Sequence, residues 1–424
     1  MRKVFLFGLA ILFVASIALA QDIVPGPGRP APFTPPLPQL VPESSVGAPP
    51  ASIGNAWGGR SAGCERFWGD TEFLLWRTKN VPVTTPLITQ ATNAADPTSG
   101  ALGSANTRIL LGGQSYNLDT RFGGRFTVGT WFDDDRVFGA EANYFFIANQ
   151  STSRSVSSDG SAGSPILAVP FRDVTSGQES SLQFTVPGVF SGGASLRLRD
   201  QIQGGEINLL GTVVRTDTLR LMGLAGFRYI NFTENLDFAQ GNIGLPTGPA
   251  AGQVFNTFDH FHAANNFYGG QLGLRSQYQL GKFVIEGTGK VALGVTNQSV
   301  NVGGTTNAVF PDGTKLVNVT GGTFALGSNS GNHTRSPFGV VPEADLKVGY
   351  NVTSRIQCFV GYSFLYLTNV ARPGTTIDHN LNTSQSPPLG GSASQLVGTP
   401  APVFSFNRSD FWAQGVNFGV QFKF

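Results

Sequence analysis

The chain has 424 residues, enough for one large or two medium domains, and a formal charge of +2. Only 13% of its residues are charged, while glycine numbers 55 and phenylalanine 34. That balance gives no clustered basic surface for nucleic acid and suits strands that face lipid. Mean hydropathy is zero, as expected of barrel strands whose apolar and polar faces cancel in any average.

At the N-terminus, Arg2 and Lys3 precede an almost wholly apolar stretch over residues 4–19. Ala18-Leu19-Ala20 then places a small-x-small cleavage signal between Ala20 and Gln21. This predicts a signal peptide over 1–20. Gln rather than Cys after the cut carries no lipoprotein signal. Past residue 20 no apolar run approaches the roughly twenty residues a spanning helix needs. Residues 21–64 form a linker in which ten prolines, from Pro25 to Pro50, favour extended polyproline backbone and bury no core. The barrel domain is expected over 65–424. Cys64 and Cys358 are far apart and lie in no metal-spaced cluster; export permits a disulfide between them, and two unpaired thiols are the plainer reading.

From residue 67 the period becomes two. Asp70 and Glu72 share one face of the first strand, and Thr71, Phe73 and Leu75 the other. Over 116–132, Asp119, Arg121 and Arg125 alternate with Phe122, Phe126 and Val128, and Asp133-Asp134-Asp135 then turns the chain. Strands follow over 136–147, 196–214, 219–234, 265–279, 282–295, 337–350 and 355–366. The alternation slips at Gly204-Gly205, which predicts a bulge.

The final strand is the most regular. From Val416 every even position is apolar, and Phe418, Val420, Phe422 and Phe424 end the chain on an aromatic. This resembles the C-terminal signal by which bacterial barrel-assembly machinery recognises outer-membrane proteins. A terminus frays unless it is paired, and pairing with the first strand would close a barrel.

The connections alternate. Short turns follow the second, fourth, sixth and eighth strands. Long Gly/Ser/Thr/Asn-rich segments occupy about 80–115, 150–194, 236–262, 298–336 and 370–408. A compact soluble domain rarely holds so many long loops, whereas outer-membrane barrels combine short periplasmic turns with long outer loops. The expected fold is an all-β antiparallel transmembrane barrel of about ten strands. Weak alternation over 166–174 and 182–189 leaves twelve as the alternative.

Alternation alone does not say which face is wet. Phe122, Phe126, Phe138, Tyr144, Phe146, Phe418, Phe422 and Phe424 are too bulky and numerous for a narrow interior. An Arg or Lys facing the bilayer midplane costs roughly 2–4 kcal/mol. The lumen is therefore expected to hold Asp119, Arg121, Arg125, Glu141, Arg228, Arg275, Glu286, Lys290, Glu343, Asp345 and Lys347. Trp68, Trp76, Trp131 and Trp412 lie near strand ends, where aromatic girdles or ordinary packing would use them.

Phe67-Trp68-Gly69 with Phe73-Leu74-Leu75-Trp76, Arg121-Phe122-Gly123-Gly124, Phe138-Gly139-Ala140-Glu141-Ala142-Asn143-Tyr144, Gly226-Phe227-Arg228-Tyr229, Phe267-Tyr268-Gly269-Gly270-Gln271-Leu272-Gly273 and the closing motif from Phe411 to Gly419 together resemble the β-barrel porin family BBP7, common in planctomycetes. The resemblance runs from about residue 65 to the end. It implies an outer-membrane barrel in a Gram-negative-type envelope and supplies no ligand residues.

Catalytic and metal motifs are absent: there is no Walker A sequence, no H-E-x-x-H and no metal-spaced Cys/His pair. His260 and His262, beside Asp259, share a strand face where a surface metal site is conceivable against an ordinary polar rim. Asp133-Asp134-Asp135 could attract Ca²⁺, though a tight turn explains it more simply. Glu141 and Glu206 invite a hydrolase reading, but no Ser/His/Asp set assembles at one depth. The chain is expected to be a monomeric barrel in the outer membrane, not an enzyme, with no cofactor, no metal and no nucleic-acid partner; its partners are the lipid bilayer and the assembly machinery. Two functional expectations remain. The lumen charges line a water-filled path for small polar solutes, or they pair across the lumen and plug it, leaving a structural or surface-display protein. Ten to twelve strands lie near the limit that side chains fill.

Overall fold

The structure is a computed structural model describing residues 66–96 and 98–424. The signal peptide, its Ala20–Gln21 cleavage point, the linker and Cys64 lie outside the described residues. β1 (Phe67–Thr78) opens the wall, and the connection after it folds as β2 (Val81–Ala91) and β3 (Arg108–Tyr116). The wall resumes with β4 (Thr120–Trp131) and β5 (Phe138–Ser158). β6 (Ile166–Asp173) and β7 (Glu179–Gln183) occupy the next connection. Four long strands follow: β8 (Phe190–Arg215), β9 (Leu219–Gly244), β10 (Val254–Leu280) and β11 (Phe283–Val309). β12 (Lys315–Thr320) and β13 (Gly331–Arg335) precede β14 (Phe338–Asn351) and β15 (Ile356–Val370). The last connection holds the two-residue β16 (Asn380–Leu381) before β17 (Ser409–Lys423).

Ten antiparallel strands close on themselves in the order β1, β4, β5, β8, β9, β10, β11, β14, β15, β17 and back to β1. Closure runs from Trp68 opposite Lys423 to Thr78 opposite Ala413. The alternating C-terminus is thus paired on both sides, by β1 and by β15. The expected strand count of ten holds. The weak hairpin does form, as β6 with β7, but in a separate sheet of β16, β6, β2 and β3 rather than in the wall. β12 and β13 pair with the far end of β11, beyond the ten that close.

The wall is lopsided. β1, β4, β14, β15 and β17 have 12 to 15 residues, β5 has 21, and β8 to β11 have 26 or 27. At about 3.3 Å per residue a 27-residue strand is roughly 90 Å long. Tilted by ~40°, it rises about 65–70 Å, against an apolar band only about 25 Å tall. The third and fourth connections are correspondingly shorter than expected. β9 and β10 continue to Gly244 and from Val254, and β11 runs on to Val309. Asn256, Ser299 and Asn301 in those stretches read as loop, yet they alternate with buried residues along continuing strands.

The register across β8, β9, β10 and β11 shows why the strands go on. On the outer face, Leu209, Ala225, Leu272 and Val291 are level, and the next row carries Ile207, Phe227, Gly270 and Leu293. Tyr229 and Tyr268 follow with ring centroids 5.1 Å apart, then Gln203, Asn231, Asn266 and Asn297, and higher still Arg199, Asn235, His262 and Asn301. On the inner face the order reverses. Glu206 and Arg228 give way to Ile230 with Phe267, then Ile202 with Phe232, and finally Leu198, Leu236, Phe261 and Val302. Near the short turns the barrel is apolar outside and polar inside, as a membrane barrel must be. Past the tyrosines it is polar outside and apolar inside, as a soluble barrel must be. This exchange of faces explains the slip at Gly204-Gly205: the register runs unbroken there on both sides. No bulge forms, because the side chains change character while the backbone keeps its pairing. The irregularities of β8 fall instead opposite 147–150 and at 212–214.

The inward apolar face of the tall wall is covered by the connections. Val81, Val83, Leu87 and Ile88 of β2, Leu111 of β3 and Leu167, Val169 and Phe171 of β6 join Leu196, Phe238, Phe261 and Val302 of the wall in one buried core. Phe324, Leu326, Ala371 and Ile377 complete it. The long loops are therefore a packed cap seated inside the extended half of the barrel.

Candidate functional site

From the short-turn end inward, the lumen is layered. A cavity of about 950 Å³ comes first. It reaches the turn residues Gly281, Asn351 and Thr353 and is walled by Trp68, Asp70, Trp131, Arg220, Arg275 and Glu286 among others.

The floor of this cavity is an ion-pair network. Arg275 makes a bidentate pair with Glu141, at 2.8 and 2.9 Å. Arg228 Nε donates to Glu206 at 2.9 Å, and its Nη2 reaches Glu343 at 2.5 Å. Lys290 bridges the same two carboxylates at 2.8 and 3.2 Å. Arg125 donates to Asp345 at 2.9 Å and lies 3.8 Å from Glu72 and from Glu343. Lys347 holds Glu72 at 2.7 Å. Each cation thus meets at least one carboxylate, the arrangement that makes buried charge tolerable.

Above the network lies an apolar belt. Leu74, Trp76, Phe145, Ile147, Ile202, Ile230, Phe232, Phe267, Ala292, Val341, Leu365, Leu367, Phe411 and Ala413 pack as one buried cluster drawn from nine wall strands. Phe232 and Phe411 meet with centroids 4.0 Å apart. Trp76, Phe232 and Phe411 expose 0% of their surface. A water-filled path through this layer would leave such residues wet.

Between belt and cap sits a second set of buried charges. Arg121 donates to both oxygens of Asp200 and to Thr78 Oγ1 at 2.6 Å. Arg372, from the last connection, donates through Nε and Nη2 to the two oxygens of Glu234, at 2.8 and 2.5 Å. Asn265 fixes the neighbouring backbone twice: its Nδ2 donates to the Ala371 carbonyl at 2.9 Å and its Oδ1 accepts the Ala371 N–H at 2.7 Å.

Of the residues expected in the lumen, Arg125, Glu141, Arg228, Arg275, Glu286, Lys290, Glu343, Asp345 and Lys347 meet in the network below the belt, Glu286 through Gln277 at 2.7 Å and Arg275 at 3.8 Å. Arg121 points inward but above the belt. Asp119 is not a lumen residue. With φ +61 it turns the chain ahead of β4, exposed, its N–H bonded to Asn117 Oδ1 at 2.9 Å. Glu72 and Glu206 were legible as inward by parity. Asp200 and Glu234 lie past the exchange of faces, where parity still holds but composition suggests loop. Arg372 lies in a connection with no periodicity to place it.

The tryptophans also depart from a simple girdle. Trp68, Trp76 and Trp131 occupy inward positions of β1 and β4; Trp68 stacks on Trp131 with centroids 5.0 Å apart, and Trp76 donates to Asn417 at 2.7 Å. Trp412 alternates with buried Phe411 and Ala413 and takes the outer face. Phe418, Phe422 and Phe424 of the closing strand are exposed to the outside, as are Phe122, Phe126, Phe138, Tyr144 and Phe146. Cys358 is a free, exposed thiol.

The histidines do not build a metal centre. His260 and His262 face outward with Nδ1 held by Asp237 at 2.6 Å and Asn235 at 2.7 Å. Their rings are parallel within 6° and 6.3 Å apart, a side-by-side placement rather than convergence on one ion about 2.1 Å from each nitrogen. Burial, with His260 adjacent, holds His262 below its usual pKa. Among the described residues no three His, Cys, Asp or Glu are grouped as a metal requires. Asp133 spends both oxygens on the Val137 and Phe138 N–H groups, each at 2.7 Å, so the acidic triplet closes a turn.

Similar solved structures include outer membrane protease OmpT from Escherichia coli, with 11% identity over 87% of this chain and 100% of that one and a TM-score of 0.40. A Pseudomonas aeruginosa FadL homologue shows 8% identity over 88% and 94%, with a TM-score of 0.20. The toluene transporter TodX of P. putida shows 6% over 84% and 89%, with a TM-score of 0.19. Likenesses this distant carry nothing about activity. No curated protein sequence matches the chain. The family described as Putative beta barrel porin-7 (BBP7) matches residues 68–424, nearly the whole of the closed wall and its cap, and the chain belongs to that family.

Proposed function

We propose that this protein is a closed outer-membrane β-barrel, anchored in the bilayer by its short-turn half and displaying its capped half outside. The observation that carries the reading is the dry belt of Trp76, Phe232, Phe411 and their neighbours, backed by the buried Arg121–Asp200 and Arg372–Glu234 pairs and by the cap core. Passive passage of small polar solutes needs a continuous wet path, and these layers oppose one. On this reading the short turns lie in the periplasm, and the assembly machinery recognises the last strand through Phe418, Val420, Phe422 and Phe424. The work is structural or surface display rather than catalysis. Among the described residues, none of the hydrogen bonds of His260, His262, His333 and His379 reaches a serine, threonine or cysteine side chain.

Planar-bilayer recording of the folded protein tests this. A silent membrane, with insertion verified by protease protection, is the expected result; stable unit conductance steps would establish the porin reading instead.

A further inference from the structure

Arg220 stands apart from every other inward cation of the lumen. It is buried, only 6% exposed, yet among the described residues it forms no ion pair. Its guanidinium lies 4.2 Å over the Trp131 ring. Nε and Nη2 donate to Thr212 Oγ1 at 3.3 and 3.2 Å, and Nη2 also donates to the Arg136 carbonyl. Among the described residues, nothing accepts from Nη1. The charged groups that act on it most strongly are Arg215 and Arg136, both of its own sign. The one acid among the groups that act on it, Asp133, is committed to the Val137 and Phe138 N–H groups.

The surroundings are built. Trp131 rests on Trp68, which lies flat over Gly129, where a Cβ would come within 2.1 Å of the indole. A glycine is required there for the stack to exist. One edge of the guanidinium is thus pinned, one face is covered by an indole, and the remaining edge borders the 950 Å³ cavity, whose wall includes Arg220, Trp68 and Trp131. A buried guanidinium without a counter-ion is costly, and its free Nη1 can donate charge-assisted hydrogen bonds to a carboxylate or phosphate oxygen.

We propose that the short-turn mouth of the barrel binds a small anion through Arg220, the ligand carrying a carboxylate or phosphate group. The Trp68–Trp131 stack fixes the guanidinium so that Nη1 faces the cavity, and Arg136 and Arg215 add positive field. The site opens to the short-turn side, through the cavity that reaches Gly281, Asn351 and Thr353, and does not depend on whether the belt above it is sealed.

The test is a titration of the folded protein in detergent micelles, read by tryptophan fluorescence and calorimetry, with inorganic phosphate and separately with succinate, sodium chloride holding ionic strength constant. Saturable binding of either probe is expected, weakened at least tenfold in Arg220→Gln and partly retained in Arg220→Lys, which keeps the charge without the planar guanidinium held by Thr212 and Trp131. Whichever probe binds more tightly identifies the group. Should Arg220→Gln not fold, Gly129→Ala displaces the stack from the other side and is expected to weaken the same titration. Absence of saturable binding of both probes to the unaltered protein, or binding indifferent to these substitutions, overturns the proposal.

Discussion

Arg372 and Glu234 meet face to face 138 residues apart in sequence, through two parallel hydrogen bonds of 2.8 and 2.5 Å, with neither side chain exposed. The pair joins the last connection to the inner face of β9, between the belt and the cap. Arg372→Ala leaves a buried carboxylate unpaired, and a loss of about 3–5 kcal/mol is expected. The double change Arg372→Met with Glu234→Leu removes both charges and should recover most of that loss. Urea unfolding followed by heat modifiability on gels measures both.

Belt packing sets a second expectation. Phe232 and Phe411 are fully buried against each other. Phe232→Ala opens a cavity in a layer with no water to fill it, at a cost of about 3–5 kcal/mol. The same substitution at Phe227, which faces outward, should cost less in detergent, because micelle hydrocarbon closes over the gap. Comparing the two midpoints distinguishes packed interior from lipid-facing surface.

Charge reversal at Arg125 or Lys290 distinguishes a plugged lumen from a charged path. Each contacts two or more carboxylates. In a sealed barrel, Lys290→Glu sets a third carboxylate against Glu206 and Glu343, so a loss of thermal stability with no conductance is expected. A folded variant with altered ion selectivity would contradict this.

The turn between β4 and β5 is pH-sensitive in a defined direction. The Val137 and Phe138 N–H groups hold the Asp133 carboxyl below the ordinary value of 3.8. A depressed folded pKa means that the contribution is present above pH 3.8 and is lost as pH falls through the lower folded value. The difference in melting temperature between the unaltered protein and Asp133→Ala should be constant from pH 5 to 8 and should shrink below pH 3.8. A difference unchanged at the lowest pH would contradict the cause.

Much of the wall was legible because period two survives burial and exposure alike. Ten strands, the alternation of turns with long connections, and the outward Phe122, Phe126 and Phe418 all follow from it. The exchange of faces was not. Alternation is symmetric, so Leu196 and Leu198 read like Ile207 and Leu209 although they point the opposite way. Only the even parity from Leu196 to Leu210 through Gly204 carried the signal, and it reads as a slip until the membrane boundary is placed there. The cap was illegible for another reason: Val81, Leu87 and Phe171 find partners far away in sequence, so no local period reveals them.

The central claim is that the lumen is dry at the belt and wet below it. Glu286 and Ala292 lie on the inner face of β11, six residues apart, one in the cavity wall and one in the belt. With Cys64 and Cys358 both changed to Ser, single cysteines placed by Glu286→Cys and Ala292→Cys can be reacted with a small membrane-impermeant methanethiosulfonate in reconstituted vesicles. The account predicts rapid labelling at 286 and none at 292 from either side of the membrane; labelling at 292 at a rate comparable with 286 contradicts it.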